Sequence, residues 1–166
     1  KEESRDTHGS QRASARASVA HKLKVNEATA DLMDEARLMA KVGYHPNILS
    51  IVGVSTSGFP KMLIVSYCEH GSLLRVLKKA ASAGAPIATR GKLEIALGVV
   101  DGMAHLMENR VVHRDLAARN VLLASANSST GMEPRVADFG LSRMAKVEGT
   151  SGDYYRSTKG VFPVRW

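Results

Sequence analysis

Within eight residues, His113-Arg-Asp-Leu-Ala-Ala-Arg-Asn120 gathers one carboxylate, two guanidinium groups and one carboxamide. Asp115 is a carboxylate able to accept a proton, and Asn120, five residues on, is a neutral oxygen ligand. Asp138 adds a second carboxylate just before Phe139-Gly140, where the glycine permits an unusual backbone turn. One Asp and one Asn together suit Mg²⁺, a hard cation that takes a few protein oxygens and leaves the rest to water or phosphate. Taken singly, each side chain is as well explained as a loop cap, a common use of Asp and Asn. The combination points to chemistry.

These residues need elements to hold them. Residues 1–18 are polar, rich in Ser and Arg, and read as a linker or irregular segment. Val19 to Val25 alternates with period two, as a short strand does. Asp31 is expected to open a helix with Leu32, Ala36 and Met39 on one stripe, and Pro46 to stop it. Ile48–Val54 and Met62–Tyr67 are expected to pair as an antiparallel hairpin across Ser57-Gly-Phe-Pro60. Gly71-Ser72 introduces a short helix, Leu73–Ala81. The longest element is Arg90–Glu108, whose Leu93, Ala96, Leu97, Val100, Ala104 and Met107 fall at helical spacing and read as core packing. Val111-Val112 and Val121–Leu123 flank the His113 segment, Ala124–Pro134 reads as a polar loop, and beyond Gly140 little is periodic.

Composition narrows the class. Of 166 residues, 44% are hydrophobic and 23% charged, as in an ordinary globular chain. The net charge of +7 is scattered, with no run of five basic residues, and aromatics are 5%, so a nucleic-acid interface is not expected. Cys68 is the single cysteine, which rules out a disulfide framework within the chain and fits a reducing compartment. No apolar run reaches the roughly 18 residues of a membrane span. Gly53-Val-Ser-Thr-Ser-Gly58 has the glycine spacing of a P-loop but continues Phe-Pro instead of Lys-Ser/Thr. A Cys68 hydrolase lacks a third partner beside His70.

His113–Asn120 and Ala137-Asp-Phe-Gly-Leu-Ser-Arg143 resemble the catalytic and metal-binding loops of protein kinases in order and approximate spacing. The Ala-Ala-Arg interior resembles the tyrosine kinase form. The resemblance extends outward: Val19-Ala-His-Lys22 is similar to the strand that carries the nucleotide-binding lysine, and Asp34-Glu-Ala-Arg-Leu-Met39 to the helix after it. His45-Pro-Asn-Ile48 resembles the following turn, and Leu63–Leu73 the hinge between two lobes. Asp153-Tyr-Tyr-Arg156 and Phe162-Pro-Val-Arg-Trp166 resemble an activation segment and the shelf for a substrate tyrosine.

The resemblance implies an α+β, two-lobed kinase-like fold over residues 19–166, with an N-lobe at 19–67, a hinge at 66–71 and part of a C-lobe at 72–166. It implies phosphoryl transfer from ATP with Mg²⁺ to tyrosine hydroxyls of protein substrates. Asp115 would accept the hydroxyl proton, Arg119 would steady charge on the transferred group, and Asn120 and Asp138 would hold Mg²⁺. Lys22 would hold the phosphates and pair with Glu35. Ala20, Val65 (as gatekeeper), Ser66, Tyr67, Cys68 and Leu122 would surround the nucleotide. Tyr154 and Tyr155 would be phosphorylation sites with Arg114 as partner, and His113 would be structural. The setting implied is cytoplasmic, or the cytoplasmic portion of a membrane receptor.

The chain also departs from the pattern. No Gly-x-Gly-x-x-Gly precedes Lys22, and the sequence stops at Trp166 before an Ala-Pro-Glu motif. The fold is therefore expected to be truncated at both ends, with apolar faces of Arg90–Glu108 left uncovered and this chain alone unstable and weakly active or inactive. The alternative is a kinase-like binding module without turnover; retention of Lys22, Asp115, Asn120 and Asp138 argues against it.

Overall fold

The computed structural model describes residues 27–58 and 60–144. The strand expected at Val19–Val25, with Ala20 and Lys22, lies outside the described residues, as do Tyr154, Tyr155 and the segment to Trp166.

Helix α1 covers residues 27–42. It is already helical at residue 27, so Asp31 sits inside it rather than opening it; Glu27, Ala28 and Ala30 are good helix formers that carry the helix past that point. It ends before Pro46. Gly43 takes φ 73° and donates its N–H to the Met39 carbonyl at 3.2 Å, a left-handed cap that closes the last turn. Ala36, Met39 and Val42 face inward.

Strands β1 (Ile51–Ser55) and β2 (Met62–Val65) form the expected antiparallel hairpin, with a bulge between Ile51 and Gly53. Both strands are shorter than the apolar runs suggest. Residues 47–49 are claimed by another partner: Val136 donates to the Asn47 carbonyl at 2.8 Å, Leu49 donates to the Val136 carbonyl at 2.9 Å, and Ile48 bridges Val136 in parallel.

The lower part comprises β3 (Gly71–Ser72), α2 (Leu73–Ser82), α3 (Thr89–Glu108), β4 (Val111–Val112), β5 (Val121–Ser125), β6 (Met132–Val136) and β7 (Arg143–Met144). The hydroxyl of Ser72 caps α2 by accepting from Arg75 N–H at 3.3 Å, as a serine at a helix start does. The sheet order is β3-β5-β6, while β4 pairs with β7. The expected polar loop at Ala124–Pro134 is therefore ladder at both ends, and residues 126–131 turn between them. Pro134 obscured this strand; it is tolerated because β6 is at the sheet edge.

The stripe on α3 is the main correction. Leu93, Leu97, Val100 and Met107 are 60%, 63%, 60% and 72% exposed, so they pack no core among the described residues. The face turned inward carries Gly91, Ile95, Gly102 and Leu106, with Gly98 beside them. A methyl group on Gly102 would stand 2.6 Å from the Asn47 carbonyl oxygen, and one on Gly98 2.6 Å from a Pro134 ring carbon. Small residues let the helix press against the 45–49 segment and β6, a signal that hydrophobic periodicity does not register. The exposed stripe agrees with the expectation that apolar faces of this helix stand uncovered.

One core joins these parts. Met39 and Val42 of α1, Ile48, Leu49, Leu106, Val111, Ala124, Val136, Ala137 and Phe139 pack together, with Phe139 1% and Leu106 0% exposed. The residues with chemical potential sit on this core's edge.

Candidate active site

The loop between β4 and β5 begins with His113, whose imidazole is buried among Phe139 and the backbone of residue 137. Its Nδ1 accepts from Asp115 N–H at 3.3 Å, which leaves Nε2 to donate to the Ala137 carbonyl at 3.0 Å. Burial pushes its pKa down, outweighing the pull of the Ala137 bond and of Asp138 and Asp115. Both ring nitrogens are engaged and the ring is held neutral, so it braces the loop and is not placed to shuttle protons. Ser142, whose hydroxyl donates to the His113 carbonyl at 3.1 Å, ties the far end of the Asp138 segment to the same point.

Asp115 is next. Arg119 Nη2 lies 2.5 Å from its Oδ1, and Asn120 Nδ2 donates to its Oδ2 at 2.8 Å and to its backbone carbonyl at 2.9 Å. Each carboxylate oxygen thus has a donor, and the plane of the carboxylate is fixed by two side chains four and five residues away. The Asn120 amide nitrogen is used up internally, which turns its oxygen outward in chemical role: the side chain has only an acceptor left to offer.

The Asp138 turn is coupled to this loop through the backbone. Ala137 N–H donates to the Asn120 carbonyl at 2.8 Å. Arg114 Nε donates to the Leu141 carbonyl. Asp138 is exposed while Phe139 is buried, so the turn sends the carboxylate out and anchors itself by the ring. Arg114 and Asp138 both adopt φ 67°, left-handed backbone that costs roughly 1–3 kcal/mol for such residues and persists where surrounding bonds over-determine it.

Glu35 of α1 reaches the same turn. Its Oε1 accepts from Phe139 N–H at 3.2 Å. Burial raises its pKa; the Phe139 bond opposes that, and the nearby Asp138 charge adds to it. Sequence reasoning assigned Glu35 only to Lys22, which lies outside the described residues. The amide partner carried no sequence signal, since every residue type but proline supplies an N–H at position 139.

Between β2 and β3, Ser66 N–H donates to the Ser50 carbonyl at 2.9 Å and the Cys68 carbonyl accepts from Gly71 N–H at 3.1 Å. Among the described residues, the Ser66 carbonyl and Cys68 N–H make no hydrogen bond, leaving an acceptor and a donor two residues apart on one extended stretch. Val65 is half-buried, Tyr67 is exposed, and Cys68 is buried with its thiol pKa raised by that burial. Leu122 lies on β5 opposite Arg135, half-buried at the edge of the core. The structure therefore brings Asp115, Arg119, Asn120, Asp138 and Glu35 to one connected region, with the hinge residues as a separate strip.

The donor set fits Mg²⁺. Asn120 offers an amide oxygen and Asp138 an exposed carboxylate, a pair suited to a cation that shares its shell with phosphate. Among the described residues no cluster of three His, Cys, Asp or Glu could hold a metal by protein ligands alone. No helix among them is long and apolar enough to cross a membrane.

Residues 6–166 match the sequence profile of the family described as protein tyrosine and serine/threonine kinase. Ephrin type-B receptor 4b of Danio rerio is 38% identical over 136 residues, which are 82% of this chain and 13% of that protein. The proto-oncogene tyrosine-protein kinase ROS of Mus musculus is 36% identical over 140 residues, 82% of this chain and 6% of that protein. Tyrosine-protein kinase SRK3 of Spongilla lacustris is 34% identical over 137 residues, 82% of this chain and 37% of that protein. The chain thus spans well under half the length of these relatives. With the catalytic-loop geometry, an α+β architecture and a profile match over nearly the whole sequence, the chain belongs to the protein tyrosine and serine/threonine kinase family.

Proposed function

We propose that this chain is the catalytic part of a protein tyrosine kinase that transfers the γ-phosphoryl group of ATP to tyrosine hydroxyls of protein substrates. The observation that carries the proposal is the Asp115 carboxylate, held between Arg119 and Asn120 on the loop that is bonded to the Asp138 turn. The Ala-Ala-Arg interior of that loop and the tyrosine kinases among its relatives support tyrosine over serine or threonine.

Asp115 orients the substrate hydroxyl and takes its proton as the new P–O bond forms and the bond from the γ-phosphorus to the bridging oxygen breaks, releasing ADP, a role worth roughly 10²–10⁴-fold. Arg119, half exposed, steadies Asp115 and faces charge on the transferred group. The Asn120 amide oxygen and the Asp138 carboxylate would hold Mg²⁺, which neutralises phosphate charge when bound. Glu35 fixes the Asp138 turn through Phe139 and would pair with Lys22. The Ser66 carbonyl and Cys68 N–H suit the donor–acceptor edge of adenine, with Ala20, Val65, Tyr67 and Leu122 around it. Residues 1–18 serve as a segment preceding the domain at 19–166, and Tyr154 and Tyr155 as phosphate acceptors. The parent is a cytoplasmic kinase or the cytoplasmic portion of a receptor.

The test is phosphoamino-acid identity. Full-length protein with MgATP and a mixed protein substrate is expected to yield phosphotyrosine, lost on Asp138→Asn. Phosphoserine or phosphothreonine as the main product would contradict it.

A further inference from the structure

Away from the catalytic loop, the hinge exit and the outer face of α2 meet the start of β6 across a cleft of about 500 Å³. Glu69, His70, Arg75, Val76, Lys79 and Met132 line it. Its charge is mainly positive, Arg75 and Lys79 against Glu69. α2 carries Arg75, Lys78 and Lys79 and no acidic residue. Arg75 and Lys79 lie four apart, so both project from the same helix face into the cleft. Among the described residues neither makes an ion pair. The one carboxylate in the lining, Glu69, is held low in pKa by its own backbone N–H first and then by Ser125 N–H, 2.9 Å from Oε2, so it keeps its charge and is outnumbered by the two cations. Arg75 gives one N–H to the His70 carbonyl at 3.0 Å, which steadies a guanidinium with further donors to offer.

We propose that this cleft docks an acidic peptide segment of a protein partner, its carboxylates on Arg75 and Lys79 and an apolar side chain against Val76 and Met132. Two cations flanking a small apolar floor fit a peptide better than a nucleic acid: the lining has no aromatic residue other than His70 on which a base could stack. Leu74 N–H donates to the Ala118 carbonyl at 2.9 Å, so the helix that bears the cleft is bonded to the catalytic loop. The surface is independent of the phosphoryl-transfer proposal.

The test is fluorescence anisotropy with full-length protein and a labelled peptide of alternating Glu and Leu. Salt-sensitive binding is expected at physiological ionic strength. Lys79→Glu should weaken it roughly tenfold, the effect of reversing one close charge in a wet site. Lys79→Gln should weaken it less. Lys78→Glu, on the same helix but outside the lining, should leave it nearly unchanged, and all three variants should leave the phosphorylation of a short neutral tyrosine peptide nearly unchanged. Equal weakening by Lys78→Glu would reduce the effect to net charge and overturn the proposal. No binding of the peptide, or tighter binding of single-stranded DNA at the same salt, would overturn it too.

Discussion

The carboxylate of Glu35 accepts a 3.2 Å hydrogen bond from the backbone N–H of Phe139, 104 residues away in sequence. Through it the position of α1 sets the Asp138 turn, whose backbone already sits at a strained φ of 67°. The helix and the turn form one mechanical unit.

Replacing Glu35 separates its two possible roles. Glu35→Ala removes the acceptor, and hydrogen exchange at the Phe139 amide should rise roughly ten- to hundredfold, since bonds to a charged group contribute about 1.5–3 kcal/mol. Glu35→Gln retains a neutral acceptor and should raise that exchange clearly less than Glu35→Ala while lowering activity. Equal exchange in both variants would show that the bond does not hold the turn.

Arg119 and Asn120 both touch Asp115 but differ in burial. Asn120→Ala leaves buried acceptors of Asp115 without a donor and should destabilise the fold by about 1–3 kcal/mol in urea unfolding. Arg119→Ala, at a half-exposed side chain, should cost under about 1 kcal/mol. Both should lower kcat, so stability and activity losses are expected to diverge for Arg119.

The two faces of α3 give a contrast in stability. Leu106→Ala should cost roughly 2–5 kcal/mol, because Leu106 is 0% exposed. Leu97→Ala should stay within about 0.5 kcal/mol. Gly102→Ala gains about 1 kcal/mol of helix propensity, yet it must displace the Asn47 backbone and should be destabilising on balance. Denaturant midpoints of the three variants check this order.

The pH dependence follows from two groups of opposite sign. His113 has a depressed pKa, so the unfolded chain takes up a proton first as pH falls below the ordinary imidazole value of 6.5. Stability is therefore full above that value and is lost as pH falls toward the folded pKa. Glu35 has a raised pKa, so its contribution is full below 4.5 and is lost as pH rises through the folded value. His113→Phe should flatten the decline of the urea midpoint that begins below pH 6.5. An unchanged slope in that variant would assign the acid limb to other groups.

The chemical residues were legible because their types are constrained by what they do: a carboxylate, an amide and a second carboxylate in fixed order stand out against any background. The hairpin and α2 were legible from turn residues and a serine cap. The face of α3 was not. Its Leu-Val-Met stripe had the right period, but Gly98 and Gly102 decide the packing by allowing close approach to Asn47 and Pro134, and apolar counting assigns glycine no weight. The strand at Met132–Val136 was hidden for a related reason, because Pro134 reads as a breaker until its position at a sheet edge is known. Backbone partners such as Phe139 N–H and the Ala137 carbonyl belong to tertiary contact alone.

The central claim is that Asp115 handles the proton of the substrate hydroxyl. Steady-state kinetics of full-length Asp115→Asn with MgATP and a tyrosine peptide test it most directly. The carboxamide preserves size and an acceptor for one donor, so KM for ATP should stay close to that of the unaltered protein. The account predicts a fall in kcat of roughly 10²–10⁴-fold. A kcat within a few-fold of the unaltered protein, with phosphotyrosine still formed, would contradict it.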